Sequence, residues 1–515
     1  MLRIILRPTL IGICLFFIAA GSQAATLTVT NTADGGNGSL RQAILDAATN
    51  AEANTVTFSI PTTDPGFDSV ANRFTIALTS ALPSIPLAPF SLSNTQPQAV
   101  TVKGDNTFRI FQFVDSAVVI FNNLTISNGS SNATALRSRF RSSAGDVTAG
   151  YGGGIYMGNS STLNLNNCVV TGNTAFINGG GIYMANSATA HLSHSTVSGN
   201  STPNGNGGGI FIFDSGTLNI DSSTVSGNSA VSGGGVYNGT SGTINATSNT
   251  FNGNTATGPG GAIINTATIT LTNNTVTGNT AGSGGGIYNA FTATLDNNIV
   301  ALNTASPGSD LYSASGSPSF TGGYNLIGNI DGSTGLASAP NISGTTSNPL
   351  DPMLGPLQNN GGTTFTRALH EGSPAIDTGT STIILDQRGF LRPIDILSVP
   401  NGTGNAADIG AFEAQSAPTS ADATVGGRVT VSSERCQSGL VGARVTMTDM
   451  NGTARTIVTG RGGYYQFDDV ETGSTYILSV RSRLYSFDPR VVTVTDTLSD
   501  VDLVSYSNSS LKCVR

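Results

Sequence analysis

Tryptophan is missing from the 515 residues, and lysine occurs only at Lys103 and Lys512. Charged residues make up 10% of the chain, and acids outnumber bases 30 to 22, giving a net charge of −8. Phosphate contacts need clustered cations, so a chain this acidic and this poor in lysine excludes nucleic-acid binding. Of four cysteines, Cys14 lies in the N-terminal segment, leaving Cys168, Cys436 and Cys513. Three thiols are too few for a disulfide scaffold, and their spacing matches no zinc pattern. No stretch after residue 24 reaches 18 apolar residues, so no membrane-spanning helix is expected in the mature chain. The stretch 152–309 has no Glu, Lys or Arg, and its only acids are Asp214, Asp221 and Asp296.

What is present is glycine, 65 of them, together with a recurring line. Gly clusters begin at 152, 179, 207, 233, 260 and 284, a period of 24–28 residues. A fixed period of this size indicates a solenoid or a propeller. Each unit holds three short alternating pieces, "GGGIYM", "TLNLNN" and "VVTGN" in the first, and none has helical spacing. About 26 residues in three strands suits one turn of a parallel β-helix, whereas a propeller blade needs roughly 40.

Aligned, the units give columns. Ile155, Ile182, Ile210, Val236, Ile263 and Ile287 form one. Leu165, Leu192, Ile220, Ala246, Leu271 and Leu295 form a second, and Val170, Val197, Val225, Phe251, Val276 and Val300 a third. Stacked about 4.8 Å apart, these would fill a bore that no single coil could bury. Asn173, Asn200, Asn228, Asn254, Asn279 and Asn303 form a column at the turn after the third strand. Asn tolerates left-handed backbone and its amide can bond from coil to coil, so this column is expected to be a structural ladder.

Cys168 shares a column with Ser195, Ser223, Asn249, Asn274 and Asn298 and is read as a small turn residue, not a nucleophile. His191 and His194 lie in a single coil with no carboxylate column and are read as surface residues. Tyr156, Tyr183, Phe211, Tyr237 and Tyr288 follow the inward Ile column by one residue, with Ile264 interrupting. Strand alternation turns them outward, where rings can hold sugars by face contact or pack on one another.

At the N-terminus, Arg3 and Arg7, the apolar "LIGICLFFIAA" and the small residues "SQA" ending at Ala24 have the form of a signal peptide. The mature chain is therefore expected to be exported, to the cell surface or the extracellular space, with outer-membrane association open. "SLRQAILDAATNAEAN" begins with an N-capping Ser39 and puts Leu40, Ile44 and Ala47 or Ala48 on one face, as expected of a capping helix. Arg137, Arg139 and Arg141 form one basic cluster, read as a solvated loop or a grip for an anionic glycan.

Past 305 the period fades. "LTVTNTADGGNGSLRQAILDA" (27–47), the "GGGIY…STVSGN" coils and "DPMLGPLQNNGG…GSPAID…DQRG…RP…DIGAFE" (351–413) resemble exported bacterial right-handed parallel β-helix proteins carrying a choice-of-anchor Q domain. The resemblance spans about 26–415, and the coils are similar to polymorphic outer-membrane-protein-like repeats, without the alternating strands of a C-terminal membrane barrel. It implies no catalytic chemistry for the 351–413 motifs. There, Asp386 with Arg388, Arg392, and Asp408 with Glu413 are read as a salt-bridged cap, with a small site around Asp377, Asp386 and Arg388 as the alternative. "VTGRGGYYQFDDVETGSTYILSV" resembles carboxypeptidase regulatory-like domains, which are non-catalytic spacers or binding modules. An isopeptide of the pilin kind is not expected, because Lys512 lies beyond the last strand. Cys436 and Cys513 flank this domain and are candidates for pairing in an oxidising compartment.

The expected order is a signal peptide (1–24), an N-terminal cap with irregular coils (25–98) and a β-helix (99–330, regular over 152–309). A C-terminal cap (331–413), a linker (414–424), a small Greek-key β-sandwich (425–507) and a tail (508–515) follow. The fold class is all-β: a right-handed parallel β-helix of three short strands per coil, plus that sandwich. A polysaccharide hydrolase would need converging carboxylates, and a lyase a basic residue beside acidic Ca²⁺ ligands. Asp214 and Asp221 sit on different strands and Asp296 lies three coils on, roughly 14 Å away. The reading is therefore a non-enzymatic, adhesin-like structural protein needing no cofactor or metal, with glycans or cell-surface components as candidate partners. A polysaccharide-degrading enzyme is the alternative, and the oligomeric state is left open.

Overall fold

The computed structural model describes residues 25–49, 52–131, 149–314, 319–415, 423–433, 436–449, 452–494 and 497–506. The signal-like segment, the Arg137–Arg141 cluster, most of the linker, Cys513 and the tail lie outside the described residues. Two compact units divide at 414/415.

The first unit is a stack of coils in which corresponding strands pair in parallel. One sheet runs for eleven strands from Ala25–Val29 to Phe320–Thr321, a second for twelve from Phe67–Asp68 to Ile342–Ser343, and a third for eight from Phe111–Gln112 to Leu311–Ser313. Register is residue for residue: Ile155 pairs Ile182, which pairs Ile210, then Val236, Ile263 and Ile287. The Leu165 and Val170 columns align in the same way. Five coils add a short fourth strand, such as Thr174–Ala175 and Ser229–Ser232.

Two corners let so short a coil close. Residues Asn123, Asn167, His194, Ser222, Ser248, Asn273 and Asn297, between the first and second sheets, all take φ of 48–59°. After the second sheet, the Gly of each "TGN" or "SGN" takes φ of 62–68° and turns the following Asn inward. Asn is the side chain that best tolerates the first corner, and Gly removes the strain at the second. The Ile, Leu and Val columns face inward and merge into one core with Phe111, Phe121 and Phe251.

The helix Leu40–Ala48 covers the N-terminal end. Ser39 Oγ accepts from the Gln42 N–H, and Leu40, Ala43, Ile44 and Ala47 are buried in the same core. At the other end the core finishes with Phe320, Ile327 and Leu336.

Residues 351–414 do not close that end, contrary to the cap expected there. They turn back along the outer face of the second sheet as a strap. The hydroxyl of Thr364 donates to Ser222 O, that of Thr250 to Gln387 Oε1 at 2.6 Å, and Asn297 Nδ2 to Asp408 O. Ala375 and Ile409 pack on Ile299, Ala301 and Leu326. The physical reason is that Thr224, Thr250, Thr275 and Ile299 face out of the sheet and need a cover.

The second unit is a small β domain. One sheet joins Ala423–Ser433 to Tyr464–Val470, Cys436–Gly439 and Leu503–Tyr506; the other joins Arg444–Asp449 to Ala454–Val458, Thr475–Arg481 and Arg490–Thr493. Val425, Val445, Phe467 and Leu478 lie in their shared core.

Candidate functional site

The amide column is a continuous ladder. Asn200 Oδ1 accepts both the backbone N–H and the Nδ2–H of Asn173, at 3.0 and 2.9 Å. The same pair of bonds recurs from Asn200 to Asn228, Asn254, Asn279 and Asn303. Each Nδ2 also donates to a carbonyl of the adjacent coil, as Asn228 does to Val197 O at 3.0 Å. The ladder ends on Asp310, whose Oδ1 accepts from Asn303 N and Nδ2. Burial pushes the Asp310 carboxyl up to about 6, against the lowering effect of these N–H donors and that of Asn329.

Two further ladders escaped the sequence reading. The Cys168 column continues as Asn249, Asn274, Asn298 and Asn325, each amide bonded to the next. Asn238, Asn265 and Asn289 form another inside the third sheet. The doubled Asn of "LTNN" and "LDNN" was the available signal for the first of these. Cys168 is buried, its thiol pushed up to about 11 by desolvation, with Sγ bonded to Phe121 O and Asn166 O.

The aromatic column is not a continuous open strip: Tyr183 and Phe211 are buried, while Tyr156, Tyr237 and Tyr288 are half-buried. Tyr156, Tyr183, Phe211 and Tyr237 stack in register with centroids 5.3, 5.4 and 4.9 Å apart. Tyr183 and Phe211 are only 7% and 6% exposed. Tyr151 and Phe213 pack against Tyr183, and the Arg109 guanidinium lies 4.8 Å from the Tyr156 centroid, so neighbouring segments cover the ring faces. Desolvation raises the Tyr183 hydroxyl above its ordinary value. Beyond Ile264, Tyr288 meets Tyr312 instead, with the rings tilted and their centroids 5.3 Å apart.

The acids of the coils stand apart. Asp221 accepts from Ser193 Oγ and Asp296 from Gly323 N, three coils away in the same column. His194 occupies a left-handed corner, and His191 meets Asn219 on the outer wall. Among the described residues, no three His, Cys, Asp or Glu side chains gather as a metal site. Cys436 lies in a strand, and its candidate partner Cys513 is outside the described residues.

The strap carries two buried ion pairs. Arg392 pairs with Glu413 at 2.7 Å, and Arg388 with Asp386 at 2.6 Å. Asp386 and Arg388 pair as expected, whereas Asp408 accepts from Asp377 N and Ala414 N and meets Glu413 through its own N–H. Asp386 accepts from Arg388 N, Phe390 N and Glu413 N. Asp386 and Arg388 are thus engaged inside the strap, Arg388 also donating to Glu413 O and Asn360 O, while Asp377 accepts from Ile396 N through one oxygen and buries the other without a partner. Burial, then the nearby Glu413 charge, pushes Asp408 up to about 7, and burial also raises Glu413 and Asp377.

Residues 106–305 match the family model described as a right handed beta helix region, which agrees with the stacked parallel coils of the first unit. No curated protein matches it. Among solved structures the chain is similar to pectate lyase Pel9A, at 14% identity and a TM-score of 0.39, over 76% of this chain and 97% of that one.

Proposed function

We propose that the protein is an exported, adhesin-like rod that acts by contact at a cell surface or outside the cell, and that it does not cleave polysaccharides. One observation carries this reading: over the regular coils, the outer wall of the eleven-stranded sheet is an in-register array of polar groups whose only acids are the separated Asp221 and Asp296. Thr162, Thr189, Thr217, Thr243, Thr268 and Thr292 form one outward column. Beside it run Asn164, His191, Asn219, Asn245, Thr270 and Thr294, all half-buried or exposed. Hydroxyls and amides at such spacing suit weak, repeated contact, whereas acid–base cleavage needs carboxylates held apart in pKa at one place. The signal-like N-terminus supports export.

The test is a glycan-array screen run beside reducing-sugar and unsaturated-uronate assays on one preparation, with fractionation of cells making the full chain. Surface or medium localisation and retention of glycans without new ends are expected. Release of reducing ends or unsaturated uronates by the pure protein would overturn the reading.

A further inference from the structure

The second sheet is covered by the strap over its later coils, from Thr224 to Ile299, and by the loop 94–98 over its early ones. Between the two covers lies a groove of about 430 Å³. Gln96, Pro97 and Gln98 form one wall, Asn123 and Thr125 the floor, and Asn167 and Val169 the far side. A second hollow of about 380 Å³ continues past Gln96 and Gln98 to Ile60 and Pro61. Each volume lies within the range of small-ligand sites.

We propose that this groove binds a neutral oligosaccharide. The wall is built, not slack. Asn94 is 4% exposed, donates to Gln98 O at 2.8 Å and accepts from Gln96 N, while Asn123 Nδ2 donates to Asn94 O at 3.0 Å. Gln96 Oε1 accepts from Ile60 N, which fixes the amide and leaves its buried Nε2 with no acceptor. Buried donors are rarely left unmade, so the Gln96 amide, which lines both hollows, points to a group that the protein itself does not supply.

The chemistry of the lining selects the ligand. No ionisable side chain lines either hollow, so a charged ligand would lose its hydration without a counter-charge. Amides and hydroxyls donate and accept at once, as sugar hydroxyls do, and Pro97 and Val169 offer apolar contact to sugar C–H faces. A peptide strand is disfavoured, because the floor is a sheet face with its backbone groups already paired, and strand addition needs an edge.

The proposal rests on the contact reading only in taking the sugar to be held intact. The full chain is titrated calorimetrically with cellohexaose, xylohexaose, mannohexaose, hexagalacturonate and an uncharged extended peptide. At least one neutral hexasaccharide should bind, and the acidic sugar and the peptide should not. Gln98→Ala with Asn167→Gly, which keeps the left-handed corner of Asn167, should weaken binding at least about tenfold, since each side chain would remove a hydrogen bond of roughly 1 kcal/mol. Thr125→Trp should abolish it by filling the floor. The proposal is overturned if no neutral hexasaccharide binds, if binding is unchanged in the folded double variant, or if the peptide or hexagalacturonate is the ligand lost in Thr125→Trp. Mass spectrometry of the recovered sugar separates the two claims: variant-sensitive binding with cleavage supports the groove and refutes the contact reading.

Discussion

The regular coils and the returning strap solve one problem, a buried polar group, in opposite ways. The coils bury amides in endless series, each Asn satisfying the one behind it and satisfied by the one ahead. The strap buries charges in a closed set, Arg392 with Glu413 and Arg388 with Asp386, and points the carboxylates at backbone N–H groups. A periodic chain can repeat a neutral bond at every turn without accumulating charge. An irregular segment has no neighbouring copy to bond to, so it uses the stronger charge-assisted bonds that fix a single geometry. The difference teaches that coil stability is distributed, whereas the strap depends on a few residues.

The largest expected effect comes from breaking the strap. Arg392→Met takes the cation of the buried pair away from Glu413, which should cost about 3–5 kcal/mol, read as a lower chemical-denaturation midpoint. Next is the ladder: Asn228→Ala removes the acceptor of two Asn200 N–H groups and the donor to Val197 O. Orphaning such groups should cost about 2–4 kcal/mol in the same measurement. Tyr183→Leu, which loses two stacked contacts in the covered column, should cost about 2 kcal/mol.

A smaller change should follow pH. Asp408, Glu413, Asp377 and Asp310 all have raised values in the folded chain, so the fold holds protons that the unfolded chain has released. Their contribution is complete below the ordinary carboxylate value and is lost as pH climbs from about 4 towards 7. Asp34 and Asp64 behave oppositely. Burial would raise them, but hydrogen bonds from Thr79, Arg41 and Thr32 win and hold both below the ordinary value. Their contribution is lost only under stronger acid, so melting between pH 5 and 7.5 should show stability falling with pH. The smallest effect belongs to the outer wall, where Asn245→Ala removes one exposed amide bond to Asn219 and should change stability by less than about 0.5 kcal/mol.

The coils were legible because their information is local and repeated. A period near 26 residues, β-branched inward positions and "TGN" corners state strand, turn and stacking together. The Cys168 column hid a second ladder, because Cys, Ser and Asn look like interchangeable small residues until the coil corner turns them all inward. The strap was illegible for the converse reason. Its contacts join residues as distant as Gln387 and Ser223, by single side-chain bonds with no periodic trace. The local pair of Asp386 with Arg388 was visible, but the distant one was not: Arg392 meets Glu413 because the chain crosses itself there. The aromatic column showed which rings align, while their covering by Tyr151, Phe213 and Arg109 depends on other segments.

Segment-resolved hydrogen exchange of the Arg392→Met protein tests most directly whether the two regions stand on different physics. The account predicts that amides held by the buried carboxylates, those of Ile394, Asp408, Glu413 and Ala414, lose protection. The coil amides of Asn200, Asn228 and Asn254, held by the ladder, should keep theirs. Equal loss of protection across strap and coils would contradict it, because the rod would then depend on the strap's charges and not on its own repeated bonds.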